Sequence, residues 1–416
     1  MNSSRLPAAE FDVEELAPAT QPAAVGAPKP DGPMLQVLAP DGTMTDGLDA
    51  RIMGARVDFA PYLEAVDAEH LRSLYRDMAL IRRFDQESTA LQRQGQLALW
   101  VQLTGQEAAQ IGSGRALAAE DYAFPSYREH GVALTRGVKL SDILRLFKGV
   151  TNGGWDPREH NFHLYTLVLA AQSLHAVGYA MGMQRDQLED PSLPPAASVA
   201  YFGDGASSEG DIHESMIFAA SFNAPVVFFC QNNQWAISVP STVQTKVPLA
   251  QRAEGYGFPG VRVDGNDVVA VEAVTRWALD RARSGRGPVL IEAYTYRMSA
   301  HTTADDPTKY RLSADEQQWQ ERDPLVRLEK HLRAEGFADD AFFEELAAEG
   351  RRMATALREE VLAMTSPDLE SRFAAVYAES HPLVEEELRF FQHYEAGFVD
   401  AADAAPEEAA GQGDLA

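Results

Sequence analysis

Two polar side chains set just past the ends of two apolar runs constrain this chain more than any other feature. Gly203-Asp204-Gly205 closes the run Val199-Ala200-Tyr201-Phe202, and Asn232-Asn233 follows Val226-Val227-Phe228-Phe229-Cys230. Each run reads as a buried strand, and the stretch between them leaves room for a turn and a helix. Asp204 and Asn233 then meet at one sheet edge, outside the strand C-termini, where open α/β sheets bind ligands. A carboxylate paired with an amide oxygen is hard-cation chemistry, and Mg²⁺ held by so few protein groups usually also holds a phosphate-bearing ligand. The small residues Gly205, Ala206 and Ser207 let the backbone approach a diphosphate at the start of the next helix.

A dinucleotide site is the rival reading. Gly203 to Gly210 spells G-x-G-x-x-x-x-G rather than G-x-G-x-x-G. The next strand ends in the amides Gln231-Asn232-Asn233, where a ribose would require a carboxylate. The pattern fits a Mg²⁺–thiamine diphosphate site better than a nucleotide fold or an ordinary tight turn.

The formal charge of −26 argues against a nucleic-acid partner and against an anionic membrane surface. The single cysteine, Cys230, lies in an apolar strand and rules out a disulfide or a thiolate metal site within the chain. The N-terminal residues carry early acidic groups without an apolar core, unlike a signal or transit peptide. No apolar run approaches the ~18 residues of a membrane span. A soluble, cytoplasmic protein is expected.

Residues 1–33 are rich in Ala, Pro and Glu and read as a flexible arm. Met34 to Leu38 suggests a short strand. Leu71, Leu74, Tyr75, Met78, Ile81 and Phe84 recur at helical spacing, and Thr104 is a candidate N-cap for a helix over 105–117. Further strands are expected at Val261-Arg262-Val263 and Val289-Leu290-Ile291. The fold class is therefore α/β, a doubly wound, mostly parallel sheet with helical N- and C-terminal extensions. One domain over 34–390 is expected, with its C-terminal helices at about 320–390. An acidic disordered tail should follow over 391–416.

The chain resembles the α subunit of the thiamine-dependent 2-oxo acid dehydrogenases, specifically the branched-chain type. The similarity rests on Gly95-Gln96-Leu97, Thr104-Gly105-Gln106-Glu107-Ala108, the segment from Phe124 to Gly131 and the segment from Gly203 to Asp211. It continues through Asn232-Asn233-Gln234-Trp235-Ala236-Ile237-Ser238 and the segment from His301 to Arg311, and so runs in order from about 35 to about 335.

The resemblance implies the thiamine-diphosphate-binding fold and a set of site residues. Asp204, the Asn233 side chain and the Trp235 carbonyl would hold Mg²⁺. Gly203, Gly205, Ala206 and Glu209 would border the diphosphate, while Tyr127 and Arg128 would clamp its oxygens. His301 is the expected catalytic histidine and a second phosphate contact, and Leu169 the apolar prop beneath the cofactor. Leu99, Trp100 and Ser126 fall in the substrate pocket, and His163 at its entrance. Gln231 stands where the branched-chain family often has an arginine phosphate ligand, which shifts the anchoring toward Arg128 and His301. Thr302 replaces the regulatory phosphoserine of mitochondrial relatives, so kinase control is not implied. Gln172 matches a potassium ligand, but Ala171 replaces the threonine beside it and leaves that site in doubt.

The same resemblance implies partners. The carboxylate that activates the cofactor lies on a β subunit in an α₂β₂ heterotetramer, and the acyl product passes to the lipoyl group of an acyltransferase. The implied reaction is oxidative decarboxylation of branched-chain 2-oxo acids. Pyruvate is the alternative substrate, with an acetoin-cleaving enzyme, a silent scaffold subunit and a nicotinamide-dependent dehydrogenase behind it.

Overall fold

The structure, a computed structural model, describes residues 34–45, 48–151 and 153–402, the side chains of 399–402 excepted. Its centre is a five-stranded, wholly parallel sheet. Across the sheet the strands run Tyr122–Phe124, Ser198–Gly203, Val226–Asn232, Val289–Tyr294 and Gly260–Asp264.

Strand alternation explains why both faces are covered. Val199, Tyr201, Val227, Phe229, Val289 and Ile291 enter one core, whereas Ala200, Phe202, Val226, Phe228, Cys230 and Leu290 enter the other. Side chains of successive strand residues point to opposite faces, so a strand apolar at every position needs a helical layer on each side. The first layer includes Ala68–Arg93, Glu107–Ala116 and Val268–Arg283, and the second Ala171–Glu189 and Gly210–Phe222. The doubly wound expectation is met. No helix among the described residues is long and apolar enough to cross a membrane.

Several local expectations shift. Asp67 caps Ala68–Arg93 by accepting from the His70 amide at 2.8 Å, but Thr104 caps nothing. Its hydroxyl donates to Asp85 Oδ2, and the helix begins at Glu107. Gly105 is the reason: at φ +98° it sits outside helical space, and a Cβ there would meet Tyr296 O at 2.2 Å. The expected strand at 34–38 is reduced to isolated bridges, Leu35 parallel to Val263 and Leu38 antiparallel to Met44.

The arm over 1–33 lies outside the described residues, as does 403–416. The tail expected to be disordered from 391 is helical through Ala402, within Pro382–Ala402. Its Ala- and Glu-rich composition hides an aromatic ladder at helical spacing. Phe390 stacks on Tyr394, which meets Phe398 edge-on along one stripe, and Phe391 packs on Phe373 of Leu369–Ala374 with ring centroids 5.8 Å apart.

Candidate active site

At the C-terminal edge of the sheet lies a cleft of about 610 Å³, within the range of small-molecule sites. Asp204 follows its strand directly and is 2 % exposed. Burial pushes its carboxyl up to about 7, against the opposing pull of the Arg297 charge. Asp204 Oδ2 is buried without a hydrogen-bond partner among the described residues. Such an atom is costly unless something satisfies it.

Asn233 is one residue past its own strand. Its Nδ2 donates to Gln106 Oε1 at 2.7 Å, and its Oδ1 accepts the Trp235 amide at 3.2 Å. The Trp235 carbonyl accepts Arg297 Nη1 at 3.0 Å and keeps a second lone pair. One carboxylate, one amide oxygen and one backbone carbonyl thus belong to residues that line one cleft. Among the described residues no group of three or more His, Cys, Asp or Glu is arranged to hold a metal. A cation held here would therefore be a hard one completed by a ligand, not a thiolate or imidazole centre.

Below this set runs the short turn Gly205–Ser208, then Gly210–Phe222. A Cβ on Gly205 would lie 2.8 Å from the Ala236 Cβ, so the turn and the 235–240 segment close on each other only because glycine stands there. Gly203, Ala206 and Glu209 line the same cleft, with Glu209 at the helix start and exposed.

On the opposite wall Arg128 is 5 % exposed. Its Nη1 donates to Gln102 O, and its Nη2 to His301 O at 2.9 Å and toward His301 Nδ1 at 3.3 Å. It clamps the 97–106 segment onto the loop that carries His301. Arg297 Nη1 approaches the same His301 Nδ1, also at 3.3 Å. Guanidinium groups only donate, so Nδ1 must accept and the imidazole proton lies on Nε2. Burial, then Arg128 and Arg297, lower the His301 pKa to about 3, so the ring is neutral near pH 7. The His301 amide donates to Asp305 Oδ2 at 2.8 Å, and Tyr310 Oη donates to the same oxygen at 2.5 Å. Tyr127 lines the cleft with its ring edge-on to His301.

The remaining expected residues divide. Leu99, Ser126 and Leu169 line the cleft, with the Ser126 hydroxyl donating to Glu129 Oε2 at 2.8 Å. Trp100 does not line it. Its ring is fully buried behind the wall, stacked on His130 at 4.5 Å, with Nε1 donating to Asp85 Oδ1 at 2.7 Å. A buried carboxylate has captured the indole N–H, and Val101 takes the place on the wall. His163 stacks on Phe124 instead of lining the entrance. Gln172 is buried, donates to Tyr201 O at 2.8 Å, and has an Oε1 with no partner among the described residues.

Arg297, Gln106 and Glu129 also line the cleft and were not singled out from sequence. Arg297 had a usable signal, since it sits just past the Val289–Tyr294 strand on the edge that carries the other site residues. Gln231, in the position of the family arginine, lines the cleft and donates to Glu129 Oε1 at 2.7 Å.

Comparison with known proteins gives a concordant result. A model of the dehydrogenase E1 component family matches residues 75–367. The 3-methyl-2-oxobutanoate dehydrogenase subunit alpha of Mycobacterium tuberculosis is 43 % identical over 349 residues, 84 % of this chain and 90 % of that protein. The pyruvate dehydrogenase E1 component subunit alpha of Staphylococcus epidermidis is 38 % identical over 305 residues, 73 % of this chain and 77 % of the relative. Its Staphylococcus aureus counterpart is 40 % identical over 270 residues, 64 % and 71 % respectively.

Proposed function

The chain belongs to the dehydrogenase E1 component family, and on that premise we propose that it is the α subunit of a branched-chain 2-oxo acid dehydrogenase. The observation that carries the reading is the buried, unpartnered Asp204 Oδ2, on a residue that lines one cleft with Asn233, Trp235 and the small-residue turn Gly205-Ala206. These groups fit Mg²⁺ bound together with a diphosphate. Thiamine diphosphate, when bound, supplies a carbanion that attacks the 2-oxo carbon and an electron sink for the bond that releases carbon dioxide.

The chain's own residues bind, orient and hold protons. Gly203, Gly205, Ala206 and Glu209 border the diphosphate at the start of Gly210–Phe222, where backbone N–H groups favour an anion. Tyr127 and Arg128 anchor phosphate oxygens from the facing wall, with Arg297 adding positive charge where Gln231 adds none. His301 presents its Nε2 proton as a donor to a phosphate or substrate oxygen. Leu169 supports the cofactor from below, and Leu99, Val101 and Ser126 border the substrate side chain.

The proposal includes two partners. A β subunit contributes the carboxylate that activates the cofactor, and the pair assembles as α₂β₂. A lipoyl-bearing acyltransferase accepts the acyl group. The domain plan expected from sequence is part of the same reading: one cofactor-binding domain from 34, with the C-terminal helices attached.

The substrate assignment follows the 43 % identical relative over the pyruvate-named ones at 38–40 %. The test is decarboxylation by the chain co-produced with its β subunit, given Mg²⁺ and thiamine diphosphate, across a panel of 2-oxo acids. Preference for 3-methyl-2-oxobutanoate and its longer homologues is expected. Preference for pyruvate would overturn the substrate and leave the cofactor residues standing.

A further inference from the structure

Behind the proposed cation ligands lies a row of buried side-chain amides whose orientations are not free. Gln106, Gln110, Gln231 and Asn233 are 1, 0, 2 and 7 % exposed, so each amide must satisfy its donor and acceptor ends within the protein. An amide oxygen and nitrogen have the same shape, and only their neighbours decide which way each faces.

Two backbone N–H groups, which can only donate, settle the row from its two ends. At one end the Gly131 amide donates to Gln110 Oε1 at 2.8 Å. Gln110 must then turn its Nε2 toward the Arg128 carbonyl at 2.9 Å and toward Gln231 Oε1 at 3.1 Å. With its oxygen so placed, Gln231 aims Nε2 at the Glu129 carboxylate at 2.7 Å, an acceptor. Gln231 Oε1 also takes Gln106 Nε2 at 3.2 Å, which leaves Gln106 Oε1 facing Asn233 Nδ2 at 2.7 Å. At the other end Asn233 Oδ1 meets the Trp235 amide at 3.2 Å, a donor again. Every link agrees in polarity, from Gly131 to Trp235.

We propose that Gln106 is a positioning residue. Held by Gln231, which Gln110 holds in turn, it fixes the Asn233 amide so that an oxygen, and not an NH₂ group, is presented to the cation. This rests on the reading of the cleft as a cation–diphosphate site. Gln231 acquires a role as well. In the position where a family arginine would reach outward to phosphate, it works inward, aligning a metal ligand through Gln106. Outer partners of a metal ligand commonly govern affinity by about 10- to 100-fold.

The experiment uses the α–β complex saturated with thiamine diphosphate and reads Mn²⁺ binding by the electron paramagnetic resonance of the free ion. Wild type should bind Mn²⁺ only with the cofactor present. Gln106→Met, which removes both ends of the link, should raise the Mn²⁺ dissociation constant about tenfold. Gln106→Glu should bind within about twofold of wild type or more tightly. At 1 % exposure, burial favours the neutral carboxyl, which keeps an acceptor toward Asn233 and a donor toward Gln231. Gln231→Leu, which leaves Gln106 in place but unheld, should show a loss of about threefold, and it carries the test if Gln106→Met fails to assemble.

Unchanged Mn²⁺ affinity in Gln106→Met, or in Gln231→Leu where only that variant assembles, would overturn the inference. So would an equal loss in Gln106→Met and Gln106→Glu. A merely structural role would lower the melting temperature and leave the Mn²⁺ constant unmoved. Wild type with no cofactor-dependent Mn²⁺ binding would instead sink the reading of the cleft itself, a separate and recognisable result.

Discussion

The floor of the cleft and its rim follow opposite rules. On the floor Asp204 and Gln231 are each 2 % exposed, and the surrounding amides and guanidinium groups are tied to named partners. At the rim Leu167 and Ile237 are 64 and 57 % exposed, and Val168 beside them 72 %. Buried polar groups stay only where they are satisfied or await a ligand, whereas clustered exposed aliphatic groups mark a surface that something else covers. The contrast supports a half-site, with a finished diphosphate floor and a wall to be completed by the proposed β subunit.

The sharpest way to break the contrast is to empty the floor. Asp204→Ala should cost at least ~100-fold in Mn²⁺ affinity of the cofactor complex, measured by metal titration, since it removes the carboxylate proposed as a direct oxygen ligand. A variant that binds the metal normally would remove the floor's main claim.

A second test probes the support behind the wall. His130 is fully buried, its Nε2 donating to Val101 O at 2.9 Å and its Nδ1 accepting from Tyr165 Oη at 2.7 Å. Burial lowers its pKa to about 3. Between about 6.5 and 3 the unfolded chain takes a proton that the folded chain refuses. This contribution is complete above 6.5 and is lost as pH falls, by ~1.4 kcal/mol per pH unit. Going from pH 6.5 to 5 should therefore cost about 2 kcal/mol through this residue. His130→Gln, which reproduces one donor and one acceptor, should flatten that part of the dependence in urea unfolding, whatever it does to overall stability.

Arg128→Lys exchanges a planar fork for a single ammonium. The three acceptors on Gln102 and His301 cannot all be kept, so thiamine diphosphate should bind about tenfold more weakly in a fluorescence titration. The smallest effect belongs to the rim. Leu167→Ser should leave the stability of the isolated chain within ~0.5 kcal/mol. Its association with the β subunit should weaken by ~1 kcal/mol in sedimentation equilibrium. A rim that is indifferent to association would erase the distinction between the two regions.

The floor was partly legible in the sequence. Asp204 and Asn233 could be placed because each follows an apolar strand directly, and strand ends are a local signal. Arg297, Gln106 and Glu129 were hidden because their meeting depends on strand order. Val226–Asn232 lies between Ser198–Gly203 and Val289–Tyr294, which brings Arg297, after the last of these, against the Trp235 carbonyl. Trp100 failed for a different reason. Its position pointed to the pocket, but the buried Asp85 accepts its indole N–H and holds the ring behind the wall. The helix through Ala402 was obscured by composition, which outweighed the spacing of Phe390, Tyr394 and Phe398.

The half-site claim is tested most directly by titration of β subunit into a fixed amount of this chain, with Mg²⁺ and thiamine diphosphate saturating. Carbon dioxide release from 3-methyl-2-oxobutanoate would be followed throughout. A half-site should give no turnover by the chain alone and a rate that rises until the subunits are equimolar. Turnover by the purified chain without its partner would contradict it.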